Sequence, residues 1–272
     1  MSQPRKRFAQ HWLRSQPILQ KIVEAAQLQA CDRILEVGPG KGVLTRELLS
    51  QVQSVVSVEL DRDLCQLLRH LFGAHESFFL LEQDFLKLDV TSELVPPLPN
   101  KVVANIPYNI TSPILTKLLG TIEAPAQPVY EIVVLLVQKE VADRLVAEPS
   151  TKAFNGLSVR SQYLAQCELI CPVPATAFKP PPKVDSAVIR LTPRPYPHPA
   201  QNPQWLSTLL KVGFGSRRKM LRNNLKSLVD RDQLSDLMNK LSIDLQARAE
   251  DLSVPQWIAL SDSVQPNPVQ TR

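Results

Sequence analysis

Short apolar runs at 33–37, 55–58, 78–81, 101–104 and 132–137 punctuate the first half of the chain. Each has the length of a strand. Between most of them lie amphipathic stretches long enough for helices, at 42–50, 61–72 and 112–119, and Ser112-Pro113 reads as a helix start with a hydroxyl cap and a first-turn proline. Ahead of the first run, residues 16–29 place Ile18, Leu19, Ile22, Val23 and Ala26 at helical spacing. Strands alternating with helices leave few folds open, and the one they favour is an α/β parallel sheet covered on both faces. Two further strand-like runs, 166–173 and 185–192, are separated only by the loop 174–184. That loop is too short for a helical crossover, so this end of the sheet is predicted to be antiparallel.

Residues 193–203, PRPYPHPAQNP, hold five prolines and read as a linker. Beyond it the pattern is helical throughout, over 204–213, 217–228, 232–240 and 254–262. A chain of 272 residues, 44% hydrophobic, accommodates one full-sized α/β domain and a small appendage. The predicted organisation is therefore a Rossmann-like domain over 1–192, a linker over 193–203 and an all-helical domain over 204–272. No run of eighteen apolar residues is present, and the amino-terminal sequence lacks the apolar segment of a signal peptide. A soluble cytoplasmic protein without membrane contact is expected. The four cysteines form no CxxC pair and have no histidine at zinc-finger spacing; CELIC at 167–171 reads as a buried strand with ordinary thiols, and no metal is expected.

The net charge of +5 is unevenly spread. Residues 1–23 carry five basic side chains and no acid, 24–192 carry fifteen basic and nineteen acidic, and 193–229 carry seven basic and no acid. Positive charge gathered at both ends points to a polyanion. Arg217, Arg218, Lys219, Arg222 and Lys226 fall within ten residues, and on a continuous helix 218, 222 and 226 would share one face beside 219. These five are the candidate RNA-binding residues; the competing reading is an exposed helix face whose core side is Leu221, Leu225 and Leu228.

The first strand runs into Glu36-Val-Gly-Pro-Gly-Lys-Gly42. A glycine turn between strand and helix lets a ligand approach the backbone closely. The spacing is G-x-G-x-G, with Val at 43 where a dinucleotide fingerprint would continue, and an acid precedes the first glycine by two residues. Both features favour S-adenosylmethionine over NAD, with Gly38 and Gly40 against the ligand. The second strand ends on Glu59, where a carboxylate meets ribose hydroxyls, and the third runs into Asp84. Three acids at successive strand ends describe the crevice of a doubly wound sheet better than three unrelated loop acids do.

The fourth strand ends in Asn105-Ile106-Pro107-Tyr108, which resembles the motif of adenine and cytosine amino-methyltransferases. An exocyclic adenine amine is a poor nucleophile because its lone pair is delocalised into the ring. Hydrogen bonds from its N–H groups to the Asn105 amide oxygen and the Ile106 carbonyl would localise that pair. Pro107 would fix the turn that presents the carbonyl, and Tyr108 would offer a face to an extruded base.

The resemblance extends over residues 5–262. KRFAQHWL at 6–13, ILEVGPGKGVLT at 34–45, VELDRDL at 58–64, NIPYNITSP at 105–113, VQKEVADRL at 137–145, AFKPPPKVDSAVIRL at 177–191 and SRRKMLRNNLK at 216–226 are similar to the small-subunit (16S) ribosomal RNA adenine dimethyltransferase family of KsgA/RsmA type. That resemblance implies dimethylation of the N6 amines of two adjacent adenosines in a hairpin loop near the 3′ end of 16S rRNA. The enzyme would act as a monomer on the small ribosomal subunit, with S-adenosylmethionine as donor and a role in ribosome biogenesis. It also implies that His11 and Leu13 contact the cofactor from a segment lying over the site, that Gly38 lines the turn, Glu59 binds ribose and Asp84 the cofactor's adenine, and that Asn105 closes the site at the methyl group. Phe178 would stack on the target base opposite Tyr108. The departure is Gln10-His11-Trp12-Leu13 where many members read Gln-Asn-Phe-Leu. Rival readings are a 23S rRNA adenine methyltransferase of the antibiotic-resistance type, a DNA adenine methyltransferase, and an assembly factor whose catalysis is secondary.

Overall fold

The computed structural model describes residues 11–94, 97–127 and 130–264. The basic group Arg5, Lys6 and Arg7 and the last eight residues of the expected helical domain lie outside this range. The strands are β1 (Trp12–Leu13), β2 (Arg33–Val37), β3 (Ser54–Glu59), β4 (Phe78–Glu82), β5 (Lys101–Asn105), β6 (Ile132–Gln138), β7 (Ala165–Val173), β8 (Phe178–Lys179) and β9 (Ser186–Pro193). Seven of them form one sheet in the order β4-β3-β2-β5-β6-β9-β7. β2 pairs in parallel with β3 and β5, β3 with β4 and β5 with β6, while β9 runs antiparallel to β6. The chain is thus α/β, and the order reverses on either side of β2, which opens a crevice at the carboxyl ends of β2 and β5.

The central strands are buried on both faces, as a parallel sheet covered by helices requires; six of the seven residues of β6 are buried. Gln16–Ala25 turns Ile18, Leu19 and Ile22 into the same core as Ile34, Val103 and Val134. The predicted cap at Ser112 is not used. The helix begins at Thr111, one residue earlier, because a 3-10 turn over Tyr108–Ile110 leads straight into it and the Thr111 hydroxyl donates back to the Tyr108 carbonyl at 3.2 Å. CELIC is also different from expectation. β7 lies at the end of the sheet, so Cys171 is buried while Cys167 is half-buried and Leu169 is exposed.

A buried ion pair ties the amino ends of β2 and β5 together. Lys101 Nζ donates to Asp32 Oδ2 and to the Gln27 carbonyl, both at 2.7 Å, and Asn100 Nδ2 donates to Asp32 Oδ1 at 2.8 Å. Both charged side chains are almost wholly enclosed, at 4% and 2% exposure. Burial pushes the Asp32 carboxyl up, but the hydrogen bonds from Lys101, Asn100 and the Gln29 N–H outweigh it and hold the group below its ordinary range.

The chain divides into two compact units. The first takes in the residues up to Gly120, Ala126–Ala142 and Cys167–Pro193; the second takes in Thr121–Pro125, Asp143–Gln166 and the residues from Arg194 onward. Residues 143–166 therefore group with the carboxyl-terminal helices rather than with the sheet, unlike the expected 1–192 boundary. Side-chain packing accounts for this. Gly156 lies against Phe214, the Ser150 N–H donates to the Glu250 carbonyl, and Arg217 donates to the Lys152 carbonyl. The proline-rich stretch is likewise held rather than free: Tyr196 stacks on Tyr163 at 5.1 Å, and the Ala200 N–H donates to the Tyr163 hydroxyl. Helices at Pro203–Gly213, Arg231–Lys240 and Val254–Ser263 match the periodicity. Among the described residues no helix is long and apolar enough to cross a membrane.

The expected helix over 217–228 does not form. The chain turns through 214–220, makes one helical turn at Leu221–Asn224 and a 3-10 turn at Leu225–Ser227. Asn224 is the physical reason: its amide donates to the Gly213 and Ser216 carbonyls, closing a loop that seats Leu221 and Leu225 in the core. Arg218, Arg222 and Lys226 consequently do not form a helical stripe.

Candidate active site

All three glycines after β2 have positive φ, but they serve different ends. At Gly42 a Cβ would fall 2.4 Å from the Phe72 ring, so this glycine is demanded by packing. At Gly40, which like Trp12 lines a cavity, it would meet the Trp12 indole at 3.4 Å. That cavity, of 260 Å³, lies at the carboxyl ends of β2 to β5, and His11, Leu13, Gly38, Gly40, Glu59, Asp84 and Asn105 all line it, together with Ile106, Pro107 and Tyr108.

The three acids are held differently. Glu59 Oε1 accepts the N–H groups of Leu60 and Asp61 at 2.9 Å, and Oε2 accepts that of Gly40 at 3.3 Å. Burial raises its proton affinity and these backbone donors oppose the rise. Glu36 Oε2 accepts the hydroxyls of Thr45 and Ser57 at 2.7 Å, while its buried Oε1 has no partner among the described residues. Burial pushes the Glu36 carboxyl up to about 7. Asp84 Oδ1 accepts the Leu86 N–H at 3.0 Å, opening the turn after β4.

The Asn105 amide is oriented by its own environment. Nδ2 donates to the His11 carbonyl at 3.3 Å, which leaves Oδ1 as the acceptor end. The neighbouring Pro107 carbonyl is engaged by the Ile110 N–H at 3.3 Å, and Ile106, next to Asn105, lines the cavity. Tyr108 shares a hydrogen bond between its hydroxyl and that of buried Ser186. The His11 ring stacks on Tyr108, with centroids 5.8 Å apart, and its Nδ1 lies 2.9 Å from the Pro180 carbonyl. His11 thus meets the motif through its backbone and turns its ring to the tyrosine.

Phe178 is not where a base-stacking role would put it. β8 pairs antiparallel with β1, and Phe178, opposite Leu13, points into the core at 4% exposure and does not line the cavity. In this two-residue strand Lys179 takes the outward position. Three contributors were not anticipated. Trp12 lines the cavity with its Nε1 buried and without a partner among the described residues, Lys41 sits 3.7 Å over its ring, and Ser186 anchors Tyr108. Only Trp12 had a signal, as one of the two residues, with His11, at which the 10–13 segment departs from the common pattern.

These residues fit S-adenosylmethionine. Glu59 ends β3 and Asp84 follows β4 at the carboxyl edge of the sheet, where a doubly wound fold takes its ligand, and Glu36 Oε1 and Trp12 Nε1 are buried beside that cavity with no partner among the described residues. Among the described residues no group of three or more His, Cys, Asp or Glu side chains could hold a metal.

The family described as "Ribosomal RNA adenine dimethylase" matches this sequence over residues 1–265. The chain belongs to that family. A "Ribosomal RNA small subunit methyltransferase A" from Acaryochloris marina is 79% identical over 269 residues, spanning 99% of this chain and all of the relative. Among solved structures, a dimethyladenosine transferase from Plasmodium falciparum superposes with a TM-score of 0.76 at 26% identity, over 92% of this chain and 96% of that one. The 23S rRNA methyltransferase ErmE gives 0.74 at 27% identity, over 93% and 98%. Neither backbone likeness nor identity to these two structures separates the two kinds of relative, and the 79% identity to a small-subunit methyltransferase is what favours one of them. This rRNA adenine dimethylase family member is a methyltransferase, and its Asn105–Tyr108 segment lines the cavity.

Proposed function

We propose that this chain transfers methyl groups from S-adenosylmethionine to the N6 amines of two adjacent adenosines in a hairpin loop near the 3′ end of 16S rRNA, within the small ribosomal subunit. It acts as a cytoplasmic monomer during ribosome biogenesis. The observation that carries the reading is the fixed Asn105 amide, whose acceptor oxygen and the Ile106 carbonyl suit the two N–H groups of one exocyclic amine. When bound, the cofactor supplies an electrophilic methyl group on a sulfonium. Gly38, Gly40, Leu13 and the His11 backbone line its place, with Glu59 on the ribose and Asp84 on the adenine. Tyr108 supplies the face for the extruded base, its ring held by Ser186; for a base to rest on the face covered by His11, that imidazole has to swing aside. The high identity to a small-subunit methyltransferase favours 16S over 23S rRNA. Small subunits incubated with the protein and tritiated cofactor are expected to carry label on N6 of two neighbouring 16S adenosines. Label confined to 23S rRNA in parallel large-subunit reactions would overturn the assignment.

RNA contact is proposed through the basic residues of the second unit. Arg218, Lys219 and Lys226 are exposed. Arg217 is half committed, forming a 2.8 Å ion pair with Glu250, and Arg222 has its Nε buried. Phosphate binding therefore rests on the first three more than on the other two. Each phosphate contact removed lowers the slope of log affinity against log salt by roughly 0.7–0.9. Arg218→Glu with Lys219→Glu is expected to weaken subunit binding and flatten its salt dependence without changing cofactor affinity. An unchanged slope would return the segment to a structural role.

A further inference from the structure

We infer that Lys117 is a positioning residue for cofactor selectivity, its ammonium clamping the turn 84–88 so that the Asp84 carboxylate meets the 6-amino group of the cofactor's adenine. This rests on the Asp84 reading above and adds the side chain that holds that acid in place.

The turn after β4 is only partly closed by its own backbone. The Asp84 carbonyl accepts the N–H groups of Lys87 and Leu88, at 2.9 and 3.2 Å, and the Phe85 carbonyl accepts that of Leu88 at 3.3 Å. The carbonyls of Leu86 and Leu88 are met instead by Lys117 Nζ, at 3.2 and 2.5 Å. Leu86 is thereby gripped at both of its backbone polar groups: its N–H donates to Asp84 Oδ1 and its carbonyl accepts the ammonium. Any shift of Leu86 moves the donor that orients the carboxylate. Bonds from a charged donor are stronger than those between neutral groups, so the clamp is stiff. Leu88 is 1% exposed and Lys117 half-buried, so water replaces the ammonium poorly.

The same turn forms part of the cavity wall. Asp84, Phe85 and Leu86 line the cavity, and Lys117 Nζ sits 5.4 Å from the Phe85 ring centroid. Lys117 is not itself a lining residue, so it acts through the turn and not on a ligand. It belongs to the helix Thr111–Leu119, which continues from the Tyr108–Ile110 turn in another wall of the cavity. One ammonium therefore ties the helix that follows the amine motif to the turn that carries the adenine acid. That helix buries Ile114, Leu115, Leu118 and Leu119. Position 117 borders this face, where an aliphatic stem packs and only its head needs a polar partner. A lysine serving solubility alone would turn its ammonium to water; this one turns it to two carbonyls. The 6-amino group of adenine is a donor and an ionised carboxylate only accepts, so a displaced Asp84 costs recognition of that group in particular.

Calorimetry with two ligands tests this: S-adenosylhomocysteine and its purine analogue, in which hydrogen replaces the 6-amino group. Wild-type protein is expected to favour the first about tenfold, the scale of one charge-assisted hydrogen bond. Lys117→Met is expected to narrow that preference to about twofold, mainly by weakening S-adenosylhomocysteine. In an Asp84→Ala background the same substitution should change the preference no further, because the carboxylate through which it acts is gone. Hydrogen exchange of the Leu86–Leu88 amides, followed without ligand, should be faster in Lys117→Met. Lys117→Gln takes its place in all three measurements if the methionine variant does not fold. An unchanged preference, an equal loss for both ligands, or unchanged exchange at 86–88 overturns the inference. Wild-type protein that holds the two ligands equally would overturn the Asp84 reading itself, and the inference with it.

Discussion

Asn105→Ala is expected to lower turnover at least about a hundredfold, a barrier increase of roughly 3 kcal/mol, while small-subunit affinity stays within about twofold of wild type. The amide oxygen is aimed by donation of Nδ2 to the His11 carbonyl, so the side chain is organised before the substrate arrives. Such an acceptor acts on the nucleophile as its lone pair develops, and its loss falls mainly on the chemical step. Phosphate contacts, proposed above for the basic residues of the second unit, are expected to supply most of the RNA affinity. Single-turnover methylation of small subunits separates the outcomes. A near-normal single-turnover rate would show that the amine is activated without Asn105, and a large loss of subunit affinity would show that the residue works in binding.

The largest stability effect is expected far from the reacting atoms. Lys101→Met should cost about 3–5 kcal/mol, because it leaves the Asp32 carboxylate buried at 2% exposure without its cation. The loss should depend on pH with a definite sign. In the wild type the Asp32 carboxyl is held below its ordinary range, so its contribution is present above the unfolded value and fades as pH falls through the lower folded one. Without Lys101, burial raises the folded value above the unfolded one, and stability is then present at acid pH and lost as pH rises. The gap between variant and wild type should accordingly be narrower near pH 4 than near pH 7. Urea midpoints at the two pH values measure this, and equal gaps would mean that Asp32 is satisfied by Asn100 and the Gln29 N–H alone.

These two residues show what kind of information a sequence carries. Asn105 stood out because its neighbours are chemically specific and follow a glycine turn and strand-end acids in order. Lys101 looked like the polar first residue of an ordinary strand. Its importance depends on Asp32, 69 residues away, and no local pattern reports that pairing. Trp12 lies between these cases: its segment stood out by departing from a common pattern, but the unpaired indole N–H and the Lys41 contact appear only when β1 lies along β8.

The amino-acid sequence by itself determined the alternation of strands and helices, the antiparallel end of the sheet, the crevice acids and the adenine-amine motif. Each depends on hydrophobic period or on residue chemistry at short spacing, and both survive in one dimension. Tertiary structure decided that 143–166 group with the carboxyl-terminal helices, that Phe178 faces the core, that His11 turns its ring to Tyr108, and that the basic run turns through 214–220, tied by Asn224, instead of forming one helix. These outcomes follow from competition between distant partners. Asn224 could cap two carbonyls only because the Gly213–Ser216 segment curled within its reach, and Phe178 joins the core cluster beside Leu13, its partner across the β1–β8 pair. Local propensity did not oppose either arrangement, and long-range packing selected both.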